Sequence, residues 1–113
     1  MITIWHNPRC SKSRQTLALL EERGLDVTVR KYLEDVPSAS ELREAQETLG
    51  VDVVAMMRVK EKAFKEVGLN KDDAEEALIA AMAAHPVLIE RPVVFANGKA
   101  ALGRPPENVL AIL

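Results

Sequence analysis

The chain opens with a short β-branched apolar run, Ile2-Thr3-Ile4-Trp5, which reads as a strand buried on both faces. His6-Asn7-Pro8-Arg9 interrupts it, because Asn-Pro is a turn signal. From about Ser11 to Arg23 the spacing becomes helical and gathers Thr16, Leu17 and Leu20 on one face. Gly24 suits the position just past the helix end. Val27-Thr28-Val29 then reads as a second strand. Strand, helix and strand in about 30 residues describe a parallel βαβ unit.

A helical stretch follows. Ser38 and Glu41 have capping-box spacing, with Pro37 just before them, and Leu42, Ala45 and Leu49 share a face that Gly50 terminates. Residues 52–67 read as one or two short helices around Val53, Val54 and Met57. Asn70 is expected to cap the next helix, with Asp72 and Asp73 in its first turn. Ala74, Leu78, Ala81 and Met82 line one side of that helix, and His85-Pro86 stops it.

Pro92-Val93-Val94-Phe95 reads as a third strand, Asn97-Gly98 as a type I′ hairpin turn, and Lys99 to Leu102 as the antiparallel return. Pro105 or Pro106 opens a final helix carrying Val109, Leu110 and Leu113. The whole pattern is of the α/β class. Its order is similar to that of a thioredoxin-like fold: a four-stranded mixed sheet with an all-helical insert, at about 38–84, between the βαβ and ββα halves.

Composition narrows the function. The 113 residues suit a single domain, 1–113, and 48% hydrophobic with 28% charged residues is ordinary for a globular chain. Only 4% are aromatic, so the core is aliphatic. A net charge of -2 lacks the basic footprint of a nucleic-acid binder. No apolar run approaches the ~18 residues that span a bilayer, so no membrane association is expected. The N-terminus lacks the basic start and long apolar stretch of a signal peptide. One cysteine excludes an internal disulfide, a Cys-rich zinc site and a dithiol redox centre, and no metal or bound cofactor is expected. An unpartnered thiol points to a reducing, cytoplasmic compartment.

That cysteine carries the candidate chemistry. Cys10 falls between the first strand and first helix, where free backbone N–H groups and the helix dipole favour thiolate over thiol. Arg9, Lys12 and Arg14 add positive charge, His6 is placed to donate to the sulfur, and Ser11 and Ser13 supply hydroxyls. The same N–H groups form an anion site, so one place holds a nucleophile and an oxyanion. The bland alternative is an inert buried thiol among solvated cations. The Cys-x5-Arg spacing of a phosphatase-type loop is absent. Position 13 is Ser, which gives Cys-x-x-Ser, so nothing in the chain resolves an adduct on Cys10 and an external thiol is required.

His6-Asn7-Pro8-Arg9-Cys10-Ser11-Lys12-Ser13-Arg14 resembles the active-site stretch of the glutaredoxin-dependent arsenate reductase family. Met57-Arg58, the segment from His85 to Pro92, and Gly103-Arg104-Pro105 resemble that family in order, so the likeness spans essentially the whole chain. The resemblance implies that Cys10 attacks arsenate and that Arg58, Arg91 and Arg104 hold the oxyanion. It implies that His6 and Ser13 lower the thiol pKa, and that Arg91-Pro92 is the family's cis-proline bond. It also implies glutathione as co-substrate and glutaredoxin as partner. Fork-shaped guanidiniums suit a tetrahedral dianion approaching a thiolate. Two other functions share the pattern: a glutathione-dependent thiol reductase of another substrate, and an Spx-like regulator that binds RNA polymerase. Ser13, in place of a second cysteine, argues against a disulfide switch.

Overall fold

The computed structural model describes residues 2–113. The chain divides into two compact units, one running up to Asp35 and resuming at Arg91–Leu113, the other Val36–Glu90. The second unit thus begins and ends slightly outside the insert that the sequence places at about 38–84.

The first unit is built on a four-stranded sheet in the order β2-β1-β3-β4, formed by β1 (Ile2–Trp5), β2 (Val27–Arg30), β3 (Val93–Ala96) and β4 (Lys99–Leu102). β1 runs parallel to β2 and antiparallel to β3, and β3 and β4 form the hairpin. Asn97 and Gly98 take φ of 54° and 73°, the left-handed pair that a type I′ turn requires. This is the thioredoxin-like α/β sheet expected from the element order.

Helix α1 (Ser11–Glu22) connects β1 to β2, one residue shorter than its sequence pattern suggests. The pleat sends Ile2 and Ile4 to one face, where they pack with Leu17 and Leu20 of α1, Val94 and Ala96 of β3, and Val109 and Ile112. Leu20 is fully buried, which stabilises the unit by about 1.5–3 kcal/mol. On the other face Trp5 and Phe95 meet with ring centroids 5.1 Å apart, and Arg30 lies over Trp5 at 5.7 Å.

The C-terminal segment differs from the expected α-helix. Pro106–Ile112 is a 3₁₀ helix that buries Pro106, Val109 and Ile112. Three residues per turn place i and i+3 on one face, so Ile112 takes the inward place expected of Leu110 and Leu113. β3 also starts at Val93, one residue after the proline.

The second unit is helical. Helix α2 (Ala39–Leu49) begins with the complete Ser38/Glu41 capping box, and Gly50 ends it in the left-handed conformation. A 3₁₀ turn (Val53–Met56) and a short α3 (Lys62–Glu66) occupy the stretch read as one or two helices. Helix α4 runs Glu75–Ala84 and starts later than expected. Asn70 closes a local turn instead: its side chain accepts from Asp72 N at 3.0 Å, and Asp73 Oδ2 accepts from Asn70 N at 2.9 Å. Those side chains satisfy the backbone within the turn, so the helix nucleates after Ala74. Leu42, Ala45, Val53, Met56, Phe64, Leu78 and Met82 are buried here. Among the described residues no helix is long and apolar enough to cross a membrane.

Candidate active site

The loop between β1 and α1 is fixed before it reaches the cysteine. His6 N donates to Arg30 O at 2.8 Å, which continues the β1–β2 pairing one step past the strand. Asn7 then organises the turn: its Oδ1 accepts from Arg9 N at 3.0 Å and its carbonyl accepts from Cys10 N at 3.0 Å. Arg14 Nη1 reaches back to Pro8 O at 2.9 Å and braces the loop from the helix side. Arg14 therefore serves as a strut as well as a local charge.

Cys10 is the residue that caps α1, with extended φ/ψ of −94° and 122°. Its carbonyl takes the first helical bond, from Arg14 N, so its side chain stands over the open first turn. The residue is only 8% exposed. Burial pushes the thiol pKa up. The backbone N–H groups of Ser13 and Lys12, with the charge and hydrogen bond of the Arg91 guanidinium, pull it down and prevail, so the thiol is held below its ordinary value. These groups would equally stabilise negative charge on an oxyanion bound there.

His6 and Ser13 stand one step behind the sulfur. Ser13 Oγ lies 2.7 Å from His6 Nδ1 and accepts from Asn7 N at 3.0 Å, and both side chains are buried. Burial first, then the charges of Lys31 and Arg14, hold the His6 pKa below its ordinary value and favour the neutral imidazole; Glu21 opposes weakly. The sequence placed His6 as a donor to the sulfur. In the structure its Nδ1 is engaged by Ser13 Oγ, and Ser13 acts on the thiol through its backbone N–H.

Two of the three sequence-identified arginines lie in the first unit and meet there. Arg104 Nη1 donates to Arg91 O at 3.3 Å, and Asn108 Nδ2 secures Arg104 O at 3.0 Å. Both Arg91-Pro92 and Arg104-Pro105 are cis bonds. Gly103 N donates to Pro92 O at 2.9 Å and ties the two Arg-Pro segments together. Arg58 belongs to the second unit. There Arg58 N donates to Leu88 O at 2.7 Å beside the Met57–Ile89 bridge, and its guanidinium pairs with Glu61 at 2.9 Å.

Sequence reasoning missed three contributors. Asn7 was read only as a turn former, yet it positions both Arg9 and Cys10. Lys31, just after β2, belongs to no motif, and its charge joins burial and Arg14 in lowering the His6 pKa. Gly103 leaves the space into which Thr16 of α1 fits, which the Gly103-Arg104-Pro105 stretch alone does not signal. Among the described residues no group of three or more His, Cys, Asp or Glu side chains is arranged to hold a metal ion.

Comparison with known proteins supplies the remaining context. The model of the ArsC family matches residues 5–112. An arsenate reductase of Neisseria meningitidis is 54% identical, covering 99% of this chain and 97% of its own length. An arsenate reductase of Haemophilus influenzae is 46% identical over 99% of this chain and 98% of its own. The solved arsenate reductase from Vibrio cholerae superposes with a TM-score of 0.96 at 55% identity, covering 99% of this chain and 97% of that one.

Proposed function

The chain belongs to the ArsC family, and from that premise we propose that it is an arsenate reductase whose nucleophile is the Cys10 thiolate. The observation that carries this reading is the setting of the sulfur. It is buried at the start of α1, faced by the N–H groups of Ser13 and Lys12 and by the Arg91 guanidinium, and its pKa is lowered.

The reaction starts when the thiolate attacks arsenic. A sulfur–arsenic bond forms and one arsenate oxygen, protonated, leaves as water. Two anions must approach each other in this step, and fixed cations and N–H dipoles offset their repulsion without reorganising. Arg91 faces the sulfur, and Arg104 is held beside the Arg91 backbone, so these two guanidiniums are the cations of the first unit available to the oxyanion.

Glutathione attacks the adduct, and a glutaredoxin thiol removes the glutathionyl group as a mixed disulfide. Arsenic gains two electrons, arsenite is released and Cys10 returns as thiolate. In sum, arsenate and two thiols give arsenite, one disulfide and water. The external donor follows from the lone cysteine, because no second thiol of this chain can resolve the adduct. His6 and Ser13 keep the loop in register for the attack.

The test is arsenite formation with arsenate, glutathione, glutaredoxin, glutathione reductase and NADPH, each omitted in turn. The expected result is turnover that needs both the arsenate and the glutathione. Turnover sustained without any added thiol would contradict the donor assignment, and no turnover with the complete mixture would contradict the substrate.

A further inference from the structure

Alongside the active-site loop lies a cavity of about 250 Å³ whose lining includes Pro8, Arg9, Lys31, Leu33 and Glu34. One wall is the Asn7–Arg9 turn, already fixed by Asn7 and Arg14. The other is the turn after β2, fixed by bonds from Glu34 N and Asp35 N to Lys31 O at 2.9 and 2.8 Å. Arg30 Nε fastens the end of that turn through Asp35 O at 3.0 Å. The cavity is therefore preformed on both sides, and Arg9 joins it directly to Cys10 along the chain.

Its chemistry is specific. Two cations and one carboxylate reach it, with Pro8 and Leu33 supplying apolar surface; Leu33 is 42% exposed. Among the described residues Arg9, Lys31 and Glu34 form no ion pair with one another or with other side chains. The complement of that arrangement is a small peptide with two carboxylates and one ammonium. The proposed reaction requires a thiol from outside the chain, and glutathione has that charge set.

We infer that this cavity is the glutathione subsite: Arg9 and Lys31 take the two carboxylates, Glu34 takes the α-ammonium, and the peptide's sulfur is directed toward Cys10. The inference rests on the reading of Cys10 as the nucleophile. It does not depend on arsenate being the substrate, and the test is chosen accordingly.

The reduced protein is mixed with glutathione disulfide, with uncharged bis(2-hydroxyethyl) disulfide, or with 3,3′-dithiodipropionate, which has carboxylates but no ammonium. In each case the Cys10 thiolate attacks one sulfur. A new disulfide forms to Cys10, the old one breaks, and the other half leaves as a thiolate, which is measured. Rates are divided by those of 2-mercaptoethanol with the same disulfide. The wild type is expected to favour glutathione disulfide over both others. Lys31→Gln should lower the preference for glutathione disulfide over the uncharged disulfide about three- to fivefold, the scale of one exposed ion pair. Glu34→Gln should cut the preference for glutathione over dithiodipropionate by a similar factor, whereas a mere long-range field would speed both anions alike.

No wild-type preference, or a preference that survives both substitutions, would overturn the subsite. Preference lost in the variants while arsenate turnover is absent from the wild type would support the subsite and contradict only the choice of substrate.

Discussion

Gly103→Ala probes the point where the first helix and the two Arg-Pro segments meet. Gly103 is buried, and a Cβ there would lie 2.5 Å from Thr16 Oγ1, 2.7 Å from Pro92 Cγ and 3.1 Å from Thr16 Cγ2. Favourable heavy-atom contacts between carbons lie near 3.5–4.0 Å, so the methyl has no room. Neither neighbour yields cheaply: Thr16 Oγ1 donates to Lys12 O at 2.8 Å, and Pro92 is a closed ring whose carbonyl holds Gly103 N at 2.9 Å. Overpacking of this kind costs about 1–3 kcal/mol. For a chain of this size that lowers Tm by roughly 5–15 °C. Thermal unfolding followed by circular dichroism measures it directly. Adding Thr16→Ala should restore part of the loss by removing two of the three contacts, while the one with Pro92 stays. Thr16 lies on the helix that Cys10 caps and Pro92 follows Arg91, so turnover should also fall. A Tm within about 1 °C of wild type would mean that the site has room for the methyl group.

Alkylation of Cys10 by iodoacetamide, followed against pH, should show a midpoint below the free-thiol value of ~8.5; a midpoint at or above it would remove the thiolate from the account. Arg91→Lys keeps the charge but loses the fork and the fixed donor, so arsenate turnover should drop about tenfold or more and the alkylation midpoint should move up. Unchanged turnover would make Arg91 a structural residue. His6 has a folded pKa held below its unfolded value of ~6.5, so its contribution to stability is complete above ~6.5 and is lost as pH falls through the lowered value. Denaturation midpoints should therefore fall more steeply below pH ~6.5 for wild type than for His6→Gln, and parallel slopes would contradict a buried neutral imidazole.

The sheet was legible because its signals are local. A β-branched run, an Asn-Gly turn and a Gly after a helix each leave a mark in a few adjacent residues. So does the Ser38/Glu41 box, which forms as its spacing implies. Errors arose where two local solutions compete. Asn70 can cap a helix or close a turn, and the turn wins because Asp73 reaches back to Asn70 N. The last segment has apolar residues at both three- and four-residue spacing, and only packing against the sheet selects Val109 with Ile112.

The candidate site was legible through Cys10, since strand end, turn and helix start are contiguous in sequence. What was not legible is which atoms do the work. Ser13 was singled out for its hydroxyl, but it is the backbone N–H that faces the sulfur. Arg104 meeting Arg91, and Gly103 lying against Thr16, are long-range contacts that no periodicity encodes. Lys31 follows β2 without any motif and reaches the site only because β2 pairs in parallel with β1.

The most direct test of the central claim compares wild type with Cys10→Ser in the complete arsenate, glutathione and glutaredoxin assay, after both are shown to be folded. Arsenite is expected from the wild type and none above background from the variant, because a serine hydroxyl stays protonated where the thiol ionises. Arsenite formed by Cys10→Ser at a rate comparable to wild type would place the chemistry on another residue and contradict the account.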